Sequence, residues 1–256
     1  MYPTMKTFLD LENGSVFLVF FGLLRILGGS DGNPGEICYN VCEVSNMITM
    51  DDIIREGHPT LEKRAKEVGL PLDEDTKKTL TRMRQFLINS QDETIREEHG
   101  LREGVGLSAP QIGISKRMLA IYTLDEDFEE HHDYIIINPK IIGHSVAKTY
   151  IAGSEGCLSV DREVDGVVPR HKRVSMRGHF YRPDTDTVEE KTIRLRGFLS
   201  VVIQHEIDHL DGILFTKRIV ADLERAEPIE FKLPETEDDE STPEENHNRF
   251  PKEEKT

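Results

Sequence analysis

Five consecutive residues, His205-Glu206-Ile207-Asp208-His209, place two imidazoles four positions apart with a carboxylate beside the first. On a helix, positions i and i+4 share a face, so both rings can reach one metal ion, and Glu206 falls where it can take a proton from water at that ion. Two histidines do not complete a hydrolytic metal centre, which usually has three protein ligands and one open position. A motif extended to H-x-x-G-x-x-H would supply a third histidine; Gly212 fits it, but Phe215 stands where that histidine belongs. A downstream carboxylate, Glu224 or Glu227, is one candidate for the third ligand. Cys157, within Glu155-Gly156-Cys157-Leu158-Ser159, is the other. A thiolate is a strong ligand for a borderline-soft divalent ion. Taken alone, Cys157 reads equally as a small buried hydrophobe.

A third segment, Gly104-Val105-Gly106-Leu107-Ser108-Ala109-Pro110-Gln111, carries two glycines that allow close backbone approach, suited to a bound strand, followed by the neutral amide donor Gln111. It lacks the Lys-Ser/Thr ending of a phosphate loop. Cys38 and Cys42 have no matching downstream pair, so they make a poor metal site. Three cysteines in all do not make a disulfide framework and suit a reducing compartment.

These residues need rigid elements to hold them. Phe198, Leu199, Val201, Val202, Ile203, Ile207 and Leu210 lie most of the way round a helix over 198–210, which implies burial on several sides. Buried polar side chains on such a helix must have partners. Asp208 suits either a group that orients a ligand or a surface ion pair. Asp73 is a candidate N-cap for a helix over 74–90, whose Leu80, Met83, Phe86 and Leu87 form one apolar face. A shorter polar helix follows near 92–98. Runs over 118–123 and 134–138 read as strands, with Pro139 ending or bending the second. Runs over 172–181 and 187–197 read as a hairpin turned at the Pro-Asp-Thr-Asp-Thr segment. His131 and His132 read as an exposed loop without a role.

The 256 residues carry 32 Lys+Arg against 48 Asp+Glu, a net charge of −16. That balance disfavours binding to DNA phosphates or to anionic lipid. The charge is uneven: residues 221–256 hold 13 acids and five bases, four prolines and little periodic apolar character, and read as a disordered acidic tail. Residues 1–46 carry net −3 and a twelve-residue apolar run at 16–27, too short to span a membrane. We expect translation to begin at Met47 or Met50, which would make 1–46 an extension upstream of the true start. Residues 47–220 then form a single catalytic domain with net charge only −5, so charge alone leaves contact with ribosomal RNA open.

The ordered set GVGLSAPQ, EGCLS and QHEIDH resembles the three motifs of the bacterial peptide deformylases, over roughly 47–219, and the opening ITMDDIIREGHPTL is similar to the Gram-positive branch of that family. Ser108 is the clear departure, standing where the family usually has Ala. The resemblance implies an α+β fold, with antiparallel sheets packed around the central buried helix. It implies that Cys157, His205 and His209 bind a divalent ion, usually Fe²⁺, with Zn²⁺, Ni²⁺ or Co²⁺ able to replace it. It implies that Glu206 is the acid/base, and that the Gln111 amide and the Leu158 N–H hold the oxyanion. An extended peptide would lie along Val105, Gly106 and Leu107 and touch Gly156. A methionine pocket would be lined by Val105, Val201, Val202 and the His205 ring. The implied substrate is the N-formyl group of nascent polypeptides, met at the ribosome by a cytoplasmic, monomeric enzyme with no membrane or specific DNA partner. Two other readings compete: a metalloprotease with a carboxylate third ligand, and a relative that binds peptide without turnover.

Overall fold

The computed structural model describes residues 8–10, 15–17, 47–223 and 225–232. Two three-residue strands, β1 (Phe8–Asp10) and β2 (Ser15–Phe17), pair antiparallel. The rest of 1–46, with Cys38, Cys42 and most of the apolar run, lies outside the described residues, as do Glu224 and 233–256.

Helix α1 (Glu74–Gln91) opens as its sequence predicts, with the Asp73 carboxylate accepting from Thr76 N at 2.6 Å. Asp92 serves two helices: its N–H closes α1 on Ile88 O, and its side chain accepts from Ile95 N to open α2 (Glu93–His99). Gly100, at φ 59°, ends α2 in the left-handed conformation that glycine tolerates best.

The main sheet is antiparallel, in the order β3-β4-β5-β8-β9. Its strands are β3 (Gly106–Ser108), β4 (Met118–Leu124), β5 (His131–His144), β8 (Arg173–Arg182) and β9 (Thr187–Arg196). A small second sheet joins β6 (Lys148–Tyr150) to β7 (Arg170–His171) and to β10 (Glu227–Pro228). The fold is α+β as expected; the β6–β10 pair, however, runs parallel.

Both faces of the main sheet are covered, which explains why β4 reads as a continuous apolar run. Met118 and Ala120 point to one face and join Leu80, Met83, Phe86 and Leu87 of α1. Leu119 and Ile121 point to the other and join Leu199, Val202, Ile203, Ile207 and Leu210 of helix α3 (Gly197–Leu210). The period-two alternation of a strand thus sends neighbouring residues into two separate cores.

Every residue of α3 from Leu199 to Leu210 is buried. Its polar groups are satisfied from neighbouring elements. Ser200 and Gln204 donate to His171 O, each at 3.0 Å, while Gln204 Oε1 accepts from His171 N, which ties the helix to β7. The first turn has no cap from its own sequence; the Glu126 carboxylate accepts from Phe198 N at 3.0 Å instead. Gly197, at φ 56°, leaves room for that carboxylate.

Two expectations change. The pair at 131–132 lies in β5, where His132 is buried and His131 meets the Tyr122 ring edge-on at 4.3 Å. Of the two outcomes read for Pro139, the strand takes the bend and not the end: it continues past a register shift between Ile137 and Lys140. Residues 225–232, placed by composition in the disordered tail, dock on the body. Ile229 N donates to Tyr150 O, Lys232 N donates to Glu126 O, and the Phe231 ring lies 5.1 Å from that of Phe198. Backbone pairing and one aromatic anchor offset the ordering cost here, a local effect that averages over the tail conceal. No described helix is long and apolar enough to cross a membrane.

Candidate active site

Three segments converge on the buried face of α3. The helix contributes His205, Glu206 and His209. The irregular turn after β6 contributes Glu155, Cys157 and Leu158. A short 3-10 turn after β3, Ala109–Ile112, contributes Gln111. His205 Nε2 and His209 Nε2 lie 3.2 Å apart, and Cys157 Sγ lies 3.3 Å from His209 Nε2. All three donor atoms fall within 4.8 Å of one another, and all three residues are buried.

This trio fits a divalent ion on its chemistry and its spacing. Ligands bonded at about 2.0–2.3 Å around a tetrahedral ion lie roughly 3.3–3.8 Å apart. Glu155 Oε2 sits 2.8 Å from His205 Nδ1, which assigns the proton to Nδ1 and leaves Nε2 as the lone-pair donor. Burial pushes the His209 pKa well below its ordinary value, toward the neutral form that ligates. Glu227 is not part of this group: it is exposed on β10 and pairs with Lys172 at 3.0 Å.

Around the trio stand Gln111, Leu158 and Glu206. Gln111 Oε1 accepts from both the N–H and the hydroxyl of Ser108, each at 2.8 Å. The amide is thereby oriented with Nε2 toward Cys157 Sγ, at 3.8 Å. Ser108, the family departure, therefore adds a second anchor to Gln111. Among the described residues the buried Leu158 N–H meets no acceptor. Glu206 is 4% exposed, its Oε2 has no partner, and burial raises its pKa to about 7.

The two glycines have internal reasons. A Cβ on Gly104 would lie 3.2 Å from Leu158 Cδ1, and one on Gly106 would lie 2.8 Å from Glu206 Cδ. The close approach read in the sequence is therefore made by the protein's own side chains. β3 is the end strand of its sheet, paired on one side by β4, and its three residues are buried. Gly156 faces open space, with nothing within 4 Å of an added Cβ. Val202 lies in the α3 core cluster, with Val105 and Phe198 partly buried against it; Val201 is 1% exposed.

The sequence reading missed Glu155. It is buried between Arg170, which donates at 2.7 and 2.8 Å, and His205. Burial opposes its charge, but the Arg170 and His205 hydrogen bonds prevail and hold its pKa at about 2. Asp208 touches neither histidine; it takes Arg170 at 2.5 Å and both arms of Arg218 at 2.6 Å, and so steadies Glu155 through Arg170. The only available signal for Glu155 was an acidic residue in an otherwise small, apolar turn.

A Cys-His-His donor set with a buried glutamate beside it whose Oε2 has no partner, on a helix clasped by antiparallel sheet, has the make-up of a hydrolytic metal centre of the H-E-x-x-H type. Residues 50–225 match the family model described as polypeptide deformylase, and the chain belongs to that family. It is 51% identical over 173 residues to a peptide deformylase of Halalkalibacterium halodurans, covering 68% of this chain and 92% of the relative. It is 47% identical over 186 residues to peptide deformylase 2 of Bacillus cereus, covering 73% of this chain and 98% of the relative. The solved peptide deformylase of Thermotoga maritima superposes with a TM-score of 0.50 at 33% identity, covering 66% of this chain and 96% of that one.

Proposed function

We infer that this chain removes the N-formyl group from formyl-methionine at the start of newly made polypeptides, using water and releasing formate. The observation that carries the reading is the convergence of Cys157, His205 and His209 with a buried Glu206 carboxylate whose Oε2 has no partner, in a chain of this family. A divalent ion held by the trio supplies Lewis acidity and lowers the pKa of water there. We propose Fe²⁺ as the ion, with Zn²⁺, Ni²⁺ or Co²⁺ able to replace it in the same donor set.

The chain's own residues do the rest. Glu206 takes the proton of the attacking water and delivers it to the nitrogen as the formyl C–N bond breaks, leaving a free amine and formate. A carboxyl held near neutral pKa serves both transfers. As the formyl oxygen gains charge, Gln111 Nε2 and the Leu158 N–H donate to it; losing one such donor typically costs about 10²–10³ in kcat. The peptide extends along the free edge of β3 at Val105, Gly106 and Leu107, with Gly156 facing it from the open side, and pairs through backbone hydrogen bonds. Pairing of that kind is blind to side chains, as a general processing enzyme requires. The methionine side chain lies against Val105, Val201, Val202 and the His205 ring.

We further propose that 47–220, with 225–232 docked on it, is the catalytic domain, working as a cytoplasmic monomer near the ribosome. The deciding experiment measures formate release from formyl-Met-Ala-Ser by iron-loaded protein under anaerobic conditions, beside Glu206→Ala loaded with equal metal. Release by the parent and almost none by the variant is expected; equal rates would overturn the reading.

A further inference from the structure

Arg102 stands outside every motif of the site, yet its guanidinium closes over the turn that carries the site's backbone donor. Nη2 donates to Cys157 O at 3.2 Å and to Val160 O at 3.5 Å, and Nη1 reaches Leu158 O at 3.4 Å. Nη1 also pairs with Asp161 Oδ1 at 2.7 Å, and the other oxygen of Asp161 takes Arg55 Nε at 2.9 Å. The presenting segment is itself fixed. Leu101 is buried, and its N–H donates to Arg96 O at 2.9 Å, just past the left-handed Gly100 that ends α2.

Cys157 O and Leu158 N–H are the two polar ends of one peptide group. A cation on the carbonyl oxygen draws electron density along that group and makes its N–H a stronger donor, by the mutual polarisation that strengthens chained hydrogen bonds. Together with the Val160 N–H, which donates to the same oxygen at 3.2 Å, the contact stops the peptide plane from rotating, so the Leu158 N–H keeps its aim. Leu158 N–H is buried and meets no acceptor among the described residues, so the strengthened donor is directed at something other than the fold.

We propose that Arg102 is a positioning residue that orients and polarises the Cys157–Leu158 peptide, so that Leu158 N–H holds the developing oxyanion. The proposal rests on the deformylase reading of the site. It assigns a functional role to a residue on the connection between α2 and β3, outside the three motifs.

The test compares metal-loaded parent, Arg102→Lys and Arg102→Gln by kcat and KM on formyl-Met-Ala-Ser, metal content, thermal midpoint, and the Leu158 amide proton resonance in zinc-loaded, ¹⁵N-labelled protein. Removing the whole donor costs about 10²–10³ in kcat, so softening it should cost about tenfold. The Gln variant is expected to lose about tenfold in kcat, with KM within about twofold and metal retained, and its Leu158 amide should move upfield. Lys, which keeps a cation at the carbonyl, should restore kcat to within about threefold. A Gln variant within about twofold of the parent in kcat overturns the proposal. So does a loss that Lys shares in full or that follows metal content, because either marks a mere staple of the turn. Should the Gln variant not fold, Arg102→Met takes its place and the Leu158 resonance decides: an upfield move supports the proposal and no move overturns it. A parent that released no formate would sink the reading of the site, and the resonance would still test the polarisation.

Discussion

Gly106→Ala is a single-methyl perturbation aimed at the proton-transfer group. The backbone of Gly106 lies in the β3–β4 ladder, paired with Ile121, and an ideal Cβ there would stand 2.8 Å from Glu206 Cδ and 2.9 Å from Cγ, closer still to Oε1. Comfortable carbon–carbon contact begins at about 3.5 Å, so the carboxylate must retreat by roughly 0.7–1 Å. Glu206 springs from a helix buried along its length, and its Cα has nowhere to go; the side chain must swing away from the reacting centre. A misplacement of about 1 Å at such a group costs about 10²-fold, and overpacking a buried site costs about 1–3 kcal/mol in stability. We therefore expect kcat/KM to fall about a hundredfold while metal content holds, since the three atoms nearest the added methyl all belong to Glu206. Gly106 has no positive φ, so the effect is steric and not backbone strain. Gly104→Ala is the control: its nearest contact, Leu158 Cδ1 at 3.2 Å, is the end of a side chain that can shift by a few tenths of an ångström. The assay is initial-rate formate release, with bound metal measured on the same samples. A Gly106→Ala enzyme keeping more than about a third of parental kcat/KM would refute the claim that this glycine exists to seat Glu206.

Cys157→Ala should abolish tight metal binding, read as bound metal after dialysis against a chelator; retention would return the third ligand to a carboxylate and revive the protease reading. Glu155→Gln should weaken metal affinity about 10–100-fold in competition titrations, because it loosens the hold on His205 Nδ1. Glu155 also has a pH signature. Its folded pKa, about 2, lies below the ordinary glutamate value of 4.5, so its stabilisation is fully present above pH ~4.5 and is lost as pH falls toward 2. Urea midpoints should accordingly fall less steeply through that window in Glu155→Gln than in the parent. Deleting 233–256 should leave kcat/KM within about twofold, whereas deleting 225–256 should also lower the thermal midpoint by several degrees, because it strips β10 from β6 and Phe231 from Phe198. Equal midpoints for the two truncations would show that the docked segment contributes nothing.

Much of the scaffold was readable because its signals are local. Asp73 and Asp92 mark helix starts by side-chain capping, the face of Leu80, Met83, Phe86 and Leu87 marks α1, and the alternation around 182–187 marks the β8–β9 hairpin. The errors came where a distant partner overrode local character. His132 reads as polar loop until Tyr134 and the sheet cover it, and 225–232 read as tail until β6 pairs with it. Glu155 and Arg102 were silent for the same reason, since their partners lie 15 and 50 residues away for Glu155 and 55 for Arg102 on Cys157.

The donor types and the i, i+4 spacing of His205 and His209 were written in the sequence, because helical geometry alone puts them on one face. So was the burial of α3, because its apolar residues encircle it. The motif resemblance pointed to Cys157 as the third member, and the tertiary structure brings it to 3.3 Å from His209 across 52 residues and leaves Glu227 on the surface. It also showed why Gly106 sits tight against Glu206, how Ser108 anchors Gln111 and where Arg102 grips the Cys157–Leu158 turn. Each of these is a contact between segments remote in the chain, whose distance depends on how the sheet and both helices pack and not on any local rule.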